Sequence, residues 1–184
     1  MTFYILLGLI VLAVLYAIYI YNALVRNKVL KEEGWSGIDV QLRRRADLIP
    51  NLIETVKGYA SHEDKLFRDI AEARAKSIAG GSIADQAAAG AALSLGLKSL
   101  FAVAENYPAL KADANFRDLQ EKLAVLEDEI QMSRRYYNGV VRNLNTLIET
   151  FPSNVVANFF KFDKAEFFEN DNDNQRVLPK VSFN

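Results

Sequence analysis

The single histidine of the chain is followed by a glutamate, a pairing that also opens a zinc-binding helix motif. His62 and Glu63 would need a second histidine one helical turn later to bind zinc and activate water, but position 66 is a leucine. The chain has no cysteine, so thiolate metal sites, iron–sulfur clusters, disulfides and cysteine nucleophiles are excluded. We expect no metal site and no cofactor, and we interpret His62 as a solvent-facing helix residue.

Several acidic residues lie close enough together to consider general acid–base catalysis. They are Glu32, Glu33, Asp47, Glu54, Glu127, Asp128 and Glu129. Such catalysis requires carboxylates in an apolar pocket that faces a substrate, whereas carboxylates on amphipathic helices usually form a solvated face. The sequence predicts no catalytic residue, and we expect a protein that is not an enzyme.

Three consecutive arginines, Arg43, Arg44 and Arg45, form the strongest run of charge. Consecutive helix residues point about 100° apart, so the three cannot form one patch, and at least one must lie near the buried side of its helix. We expect the arginines of this run to form salt bridges with the acidic cluster at 127–129. The net charge of the chain is −1, which argues against nucleic acid as a partner.

The first structural element that the sequence predicts is an uncharged apolar run over residues 3–21. A helix of these nineteen residues covers about 28 Å, close to the roughly 30 Å hydrocarbon core of a bilayer. Tyrosines occur at both ends, where amphipathic rings favour the headgroup layer. A cleaved signal peptide would need a basic start and a cleavage site of small residues, which the run lacks. The pattern predicts an uncleaved transmembrane helix.

The charges that flank the run predict its orientation. No side-chain cation precedes it, whereas Arg26, Lys28 and Lys31 follow it within ten residues. The positive-inside rule therefore places the N-terminus outside and the C-terminal domain in the cytoplasm.

Everything between residues 22 and 151 is typical of helix, because apolar residues recur at alternating intervals of three and four. A first seam of such residues contains Trp35, Ile38, Leu42, Arg45, Ile49, Leu52, Val56, Tyr59, Glu63, Leu66, Ile70 and Ala73. A second contains Phe116, Leu119, Leu123, Leu126, Ile130, Ser133, Tyr137, Val140, Leu144, Leu147 and Phe151. This spacing is that of coiled-coil seams.

The breaks between helices follow from proline and glycine. The first seam keeps its phase across Pro50, so we favour one kinked helix that continues to about Ser77, with a hairpin break at Pro50 as the alternative. Gly80 and Gly81 end that helix, Ser82 caps the next over residues 83–106, and Tyr107 with Pro108 closes it.

The predicted helices differ in length, so a simple three-helix bundle leaves apolar surface uncovered. Three solutions remain open at this point. The segment 151–168 folds back, or Pro50 is a true turn, or a second subunit covers the stripe formed by Trp35, Ile38 and Leu42. We favour a homo-oligomer.

The sequence resembles the LemA family. The stretches that carry the resemblance are YNALVRNKV (21–29), WSGIDVQLRRRADLIPNLIETVKGYASHE (35–63), ENYPALKADANF (105–116), RRYYNGVVRNLNTLIETFPSNVVANFF (134–160) and KFDKAEFFE (161–169). The resemblance implies a single-pass protein of the bacterial inner membrane with an antiparallel helical bundle. It also implies links to membrane remodelling, to organelle formation as in magnetosome-forming bacteria, and to membrane proteases. It brings no catalytic residues.

Two further patterns single out residues for interactions. YNALVRN at 21–27 and YNGVVRN at 137–143 share five of seven residues, which indicates similar local packing or, alternatively, binding of both segments to one shared partner. The chain end is crowded with phenylalanines, including Phe159 and Phe160, with Pro152 and Ser153 as a helix stop and cap. These rings either dock on the bundle or face a partner or the membrane.

Together these patterns predict an all-α protein with a single N-terminal transmembrane helix, followed by an elongated antiparallel bundle of three to four helices with coiled-coil-like seams. We expect an anchor over residues 1–22, a stalk over 23–34, a cytoplasmic bundle over 35–168 and a flexible tail over 169–184.

The predicted function is a scaffold that self-assembles and organises or remodels membrane, with lipid and a second copy as partners. The alternative is an adaptor for a membrane protease or transporter. Candidate interaction residues are Trp35, Ile38, Leu42, Arg43, Arg44, Tyr137, Phe159 and Phe160.

Overall fold

The computed structural model of the chain describes residues 1–168, and the predicted tail over 169–184 lies outside them. Six helices make up the described residues, which contain no β-strand, so the all-α prediction is confirmed. The helices are α1 (Thr2–Lys57), α2 (Asp64–Ile78), α3 (Ile83–Ala104), α4 (Pro108–Ala112), α5 (Ala114–Glu149) and α6 (Ser153–Phe159).

Helix α1 continues through Pro50, as the favoured prediction had it, and ends at Lys57, so the alternative of a break at Pro50 and the predicted end at about Ser77 are both wrong. It neither breaks at Pro50 nor continues to Ser77, because residues 58–63 form a turn before α2 begins. Proline has no N–H, so the carbonyl four residues earlier, that of Ala46, loses its helical donor. The Nε of Arg74 donates a 2.7 Å hydrogen bond to that carbonyl, which explains why a helix with a proline is stable here.

We expect the Arg74→Met substitution to lower the free energy of unfolding by about 2 kcal/mol, because a buried carbonyl would lose a charged donor. In a Pro50→Ala background, the restored N–H of residue 50 can donate to the carbonyl of Ala46. The Arg74→Met substitution should therefore lower the free energy of unfolding by less in that background. A double-mutant cycle, measured by denaturant unfolding in mild detergent, separates the two cases. An equal cost in both backgrounds would contradict the link between Pro50 and Arg74.

The turn between α1 and α2 contains His62. Its side chain is exposed, as expected, but it lies in the turn and not on a helix, because α1 ends five residues before it. The turn begins with the N–H groups of Tyr59 and Ala60 both bonded to the carbonyl of Val56.

The start of α3 confirms the prediction made for Ser82. The Ser82 hydroxyl accepts a hydrogen bond from the N–H of Asp85, and the Asp85 carboxylate accepts one from the N–H of Ser82, which is a complete capping box. Gly80 and Gly81 have φ values of 77° and 129°, a region that glycine adopts without strain.

The short helix α4 was not predicted, because five residues are too few to show a helical period. It begins at Pro108, where the sequence indicated only a stop, and Asp113 then caps α5 by accepting a hydrogen bond from the N–H of Phe116. The Tyr59 hydroxyl also donates to Asp113. The bond from Phe116, followed by that from Tyr59, holds the pKa of the Asp113 carboxyl below its ordinary value.

The described residues divide into two compact units, a division that the sequence did not predict. Unit 1 comprises Met1–Gln41 and Asp128–Phe167, and unit 2 comprises Leu42–Glu127 together with Phe168. The core of unit 2 is formed by residues of both predicted seams and by leucines of α3. Its largest members are Ile49, Leu52, Phe67, Ile70, Leu93, Leu97, Leu100, Phe116 and Leu123.

Unit 1 has a core of its own that includes the end of the predicted anchor. Ile20 and Leu24 of α1 lie in one buried cluster with Leu144, Ile148 and Ala157. Phe162 and Ala165, which follow α6, pack against the same cluster. Of the three solutions for covering the apolar surface, folding back of the C-terminal segment is therefore realised in unit 1.

Among the described residues, two helices are long and apolar enough to cross a membrane by length and composition, whereas the sequence predicted one. In α1 the most apolar stretch is 6% buried, and in α3 it is 33% buried. Leu93, Leu97 and Leu100 of α3 lie in the core of unit 2. One apolar face of α3 thus packs inside the protein, whereas the apolar run of α1 is almost wholly uncovered.

Candidate interaction surfaces

The first candidate surface is the N-terminal part of α1. Residues 2–16, Ile18 and Tyr19 are exposed, and Ile20 is the first buried residue of the helix. Contact with water costs about 25 cal/mol for each Å² of apolar surface, so a run of this length requires an apolar environment. The segment therefore indicates membrane anchoring, and the folded part of the chain begins where the apolar run ends.

The second candidate surface surrounds the residue at which the apolar run ends. The ring of Phe160 lies 4.6 Å from that of Tyr21, and the ring of Phe162 lies 6.0 Å from it. Phe159 packs edge-on against Phe160 at 5.0 Å. Phe159 is 78% exposed and Phe160 is 49% exposed, so Phe160 contacts α1 through Tyr21 with half of its surface uncovered, and Phe159 is mostly uncovered.

Four other predicted interaction residues lie wholly or partly inside the fold. Ile38, Leu42 and Tyr137 are buried, because they belong to helix faces that the chain itself covers. Trp35 is half-buried, with its ring 5.8 Å from that of Tyr137. The Tyr137 hydroxyl donates to the carbonyl of Glu166, and burial raises the pKa of Tyr137. As folded, the three buried residues offer no surface to a partner.

The arginine run behaves as its helical spacing predicts. Arg43 and Arg44 are exposed, whereas Arg45 is 1% exposed and points into unit 2. A nitrogen of Arg45, Nη1, lies 2.8 Å from a carboxylate oxygen of Glu127. The predicted salt bridge with the acidic cluster is thus present. Burial lowers the pKa of Arg45, and the charge of Glu127 opposes that shift.

The Arg45–Glu127 pair lies at the wall of a groove in unit 2. Arg45 also donates to the hydroxyl of Ser94 at 3.0 Å and to the carbonyl of Gly90 at 3.4 Å, while its Nε finds no hydrogen-bond partner within residues 1–168. The groove has a volume of about 470 Å³ and is mostly apolar, with Leu97, Lys98, Phe101, Gln120, Leu123 and Ala124 among its lining residues. This combination is typical of a surface that could receive an apolar side chain or segment.

We expect Glu127→Gln to lower the free energy of unfolding by about 2 kcal/mol, because it leaves a buried guanidinium without its counter-charge. Glu121→Gln is the matched control, since Glu121 is exposed on the same helix, and it should change stability by less than about 0.5 kcal/mol. Denaturant unfolding followed by circular dichroism measures both. Equal stabilities for the two variants would mean that Arg45 does not need Glu127.

Asn145 holds the C-terminal segment in place through both ends of its amide group. Its Nδ2 donates to the carbonyl of Ala165 at 2.9 Å, and its Oδ1 accepts from the N–H of Ala165 at 2.8 Å. The sequence does not reveal that Asn145 holds this segment, because an asparagine one position after an apolar seam residue is an ordinary helix pattern. Only the position of Ala165 reveals its role.

The Asn145→Ala substitution should loosen residues 160–167, because about 1 kcal/mol is lost for each of two hydrogen bonds. The expected result is faster trypsin cleavage after Lys161 and Lys164, read by mass spectrometry of timed digests. Asn143→Ala is the control, because Asn143 is exposed on the same helix. Cleavage at the wild-type rate in the Asn145 variant would contradict the role of this contact.

The chain is similar to known proteins over most of its length. The model for the LemA family matches residues 34–183. Magnetosome protein MamQ 2 of Paramagnetospirillum magneticum is 25% identical over 175 residues, which cover 81% of this chain and 64% of the relative. Protein LemA of Metamycoplasma hominis is 26% identical over 161 residues, which cover 84% of this chain and 72% of the relative. The chain thus spans 64% of the length of the MamQ relative.

Proposed function

The chain belongs to the LemA family, and from this premise we propose that it is a membrane-anchored helical scaffold without enzymatic activity. It self-assembles and organises or remodels the bacterial inner membrane. The observation that carries the proposal is that one helix, α1, contains both an uncovered apolar run and residues buried in two folded units. The similarity to magnetosome protein MamQ 2 supports a membrane-associated helical protein.

The proposed topology has the N-terminus outside and the folded units in the cytoplasm. The cations that follow the apolar run support it, because Arg26, Lys28 and Lys31 lie just beyond Ile20. Since the chain has no cysteine, single-cysteine variants give clean labelling sites. An impermeant maleimide should label Thr2→Cys in intact spheroplasts and Glu121→Cys only after lysis. The reverse pattern would overturn the orientation.

We propose that α1 and α5 run antiparallel in unit 1. The supporting contacts occur in opposite order along the two helices. Trp35 contacts Tyr137, whereas the earlier residues Ile20 and Leu24 share a cluster with the later residues Leu144 and Ile148. Double-cysteine variants at positions 22 and 146, or at positions 36 and 136, should crosslink readily within one chain. A variant with cysteines at positions 22 and 136 should not.

Self-assembly requires surfaces that the chain does not already use. Because Ile38 and Leu42 are buried, we propose that exposed apolar side chains of the two units form the contacts between copies. Leu95 is 67% exposed, Met132 is 53% exposed and Val125 is 52% exposed, so each offers apolar surface that a second copy could cover.

The test of self-assembly uses the full chain, in mild detergent and on liposomes. We expect native mass spectrometry to find oligomers, and we expect Leu95→Glu or Met132→Glu to reduce their size. Asn143→Glu, which adds the same charge at an exposed polar position, is the control. Electron cryo-microscopy of the liposomes should show clustered protein or changed curvature. A strict monomer by light scattering, on undeformed liposomes, would overturn the scaffold.

The groove beside Arg45 favours the second candidate function, an adaptor for a membrane protease or transporter. An apolar groove with charged residues at its edge can bind a segment of a partner protein. This hypothesis predicts a stoichiometric foreign partner in a mild-detergent pull-down and its loss in Lys98→Glu, since Lys98 is an exposed residue of the groove. Recovery of the protein with its own copies alone favours the scaffold.

A further inference from the structure

Helix α6 exposes two of its large apolar side chains, while Val156 and Ala157 pack on the core of unit 1. Ser153 and Ala157, one turn apart, are buried, whereas Val155 and Phe159, on the opposite side, are 60% and 78% exposed. A helix at a water-facing surface normally shows the reverse pattern. Phe151, just before the helix, is 82% exposed, and residues 151–160 contain no charged side chain.

The position of this segment within unit 1 explains the pattern. Ala157 lies in the same buried cluster as Ile20 and Leu24, and the ring of Phe160 packs at a tilt against that of Tyr21. Tyr21 closes the apolar run of α1, where an amphipathic ring would mark the boundary between hydrocarbon and headgroups. The exposed rings of the segment are therefore at the level at which α1 would leave the lipid.

We propose that residues 151–160 form a second membrane contact, which inserts its exposed apolar side chains into the interfacial layer of the bilayer that α1 crosses. The inference rests on the proposed anchoring of α1. The occupant is lipid because the exposed surface is continuous, through the Tyr21–Phe160 contact, with the uncovered apolar run of α1. Phenylalanine and aliphatic side chains that dip about 5–10 Å into the headgroup boundary are the usual means by which such segments bind.

One of the two lysines next to the segment, Lys161, fits the same surface. Lys161 follows it directly and is exposed, and Lys164 pairs with Glu149. Lysine stems can cover apolar surface while their ammonium groups reach phosphates. The proposed membrane contact would thus place the apolar segment at the boundary between hydrocarbon and headgroups, and a lysine ammonium group among the headgroups.

The test measures depth in the membrane with the full chain reconstituted in vesicles of phosphatidylcholine and phosphatidylglycerol. Single cysteines carry an environment-sensitive nitrobenzoxadiazole label at one of three positions, and quencher-bearing lipids report contact. Phe159→Cys tests the segment, Ile10→Cys tests the anchor, and Glu121→Cys is the aqueous control. We expect strong quenching at positions 10 and 159, with position 159 quenched best by a shallow quencher, and little quenching at position 121.

The outcomes separate this inference from the proposed function. Quenching at position 10 with none at position 159 overturns the second contact and leaves the anchor in place. An unquenched position 10 overturns the anchor and, with it, this inference. A blue-shifted label at position 159 that lipid quenchers do not reach, but that self-quenches as protein density rises, assigns the surface to a second copy and overturns the lipid contact.

A charge variant provides an independent check. Val155→Glu in the Phe159→Cys background should reduce quenching at position 159 at least twofold, while the helical circular dichroism stays unchanged because Val155 is exposed. Asn143→Glu in the same background is the matched control and should leave the quenching as it was. Unchanged quenching in the Val155 variant would contradict insertion of this face.

Discussion

Replacing Ile10 and Val14 with arginine is expected to move the protein out of the membrane fraction. Both residues lie in the exposed apolar run of α1, and each arginine near the centre of a transmembrane helix costs about 2.5–3.5 kcal/mol of insertion free energy. Two such substitutions amount to about 6 kcal/mol, or roughly a 10⁴-fold change in partition. Fractionation of cells followed by alkaline extraction measures the shift.

The matched control places the same two arginines elsewhere on α1. Val29 and Val40 are 55% and 44% exposed but lie beyond the apolar run, so the control variant should stay in the membrane fraction. If Ile10→Arg with Val14→Arg also stayed there after alkaline extraction, the segment would not be the anchor.

A larger side chain at Gly96 should be the most destabilising change in unit 2. A Cβ atom at this position would lie 2.9 Å from Cγ1 of Ile70, which is closer than two carbon atoms can pack. Ile70 is fully buried, so neither α2 nor α3 can give way without moving core residues. We expect Gly96→Val to lower the free energy of unfolding by about 3 kcal/mol.

Gly139→Val provides the comparison for that experiment. Gly139 also lies inside a helix, but a Cβ atom there would meet no neighbouring atom within 4 Å, so the change should stay within about 0.5 kcal/mol. Denaturant unfolding of both variants in the same detergent isolates the contact with Ile70. Equal stability of the two variants would show that α2 and α3 are less closely packed than the structure has them.

The features that the sequence predicted best depend on local periodicity and local chemistry. Ser82 forms the predicted cap because a serine after two glycines satisfies the first N–H groups of the next helix. Arg45 is buried against Glu127 because it occupies a position on an otherwise apolar helix face. Both conclusions require only the spacing of residues along one helix.

The features that the sequence analysis missed depend on contacts between distant residues. The sequence predicted that the first helix continues past Pro50, but no local pattern reveals that Arg74, on the next helix, supplies the missing donor to the Ala46 carbonyl. Tyr137 was predicted as an interaction residue, yet it is buried and bonded to Glu166. The seam position of Tyr137 predicts burial, but the segment that covers it could not be located from spacing.

The core of unit 1 joins the two ends of the polypeptide in a way that has a consequence for biosynthesis. Ile20 and Leu24 leave the ribosome early, whereas Leu144, Ile148 and Ala157, which share their cluster, emerge more than a hundred residues later. An anchor helix that enters the bilayer during translation must therefore wait for almost the whole chain before its base is packed. Until then, these two side chains depend on lipid or on a chaperone for cover, and a ribosome that stalls before residue 144 leaves an inserted but unfinished protein.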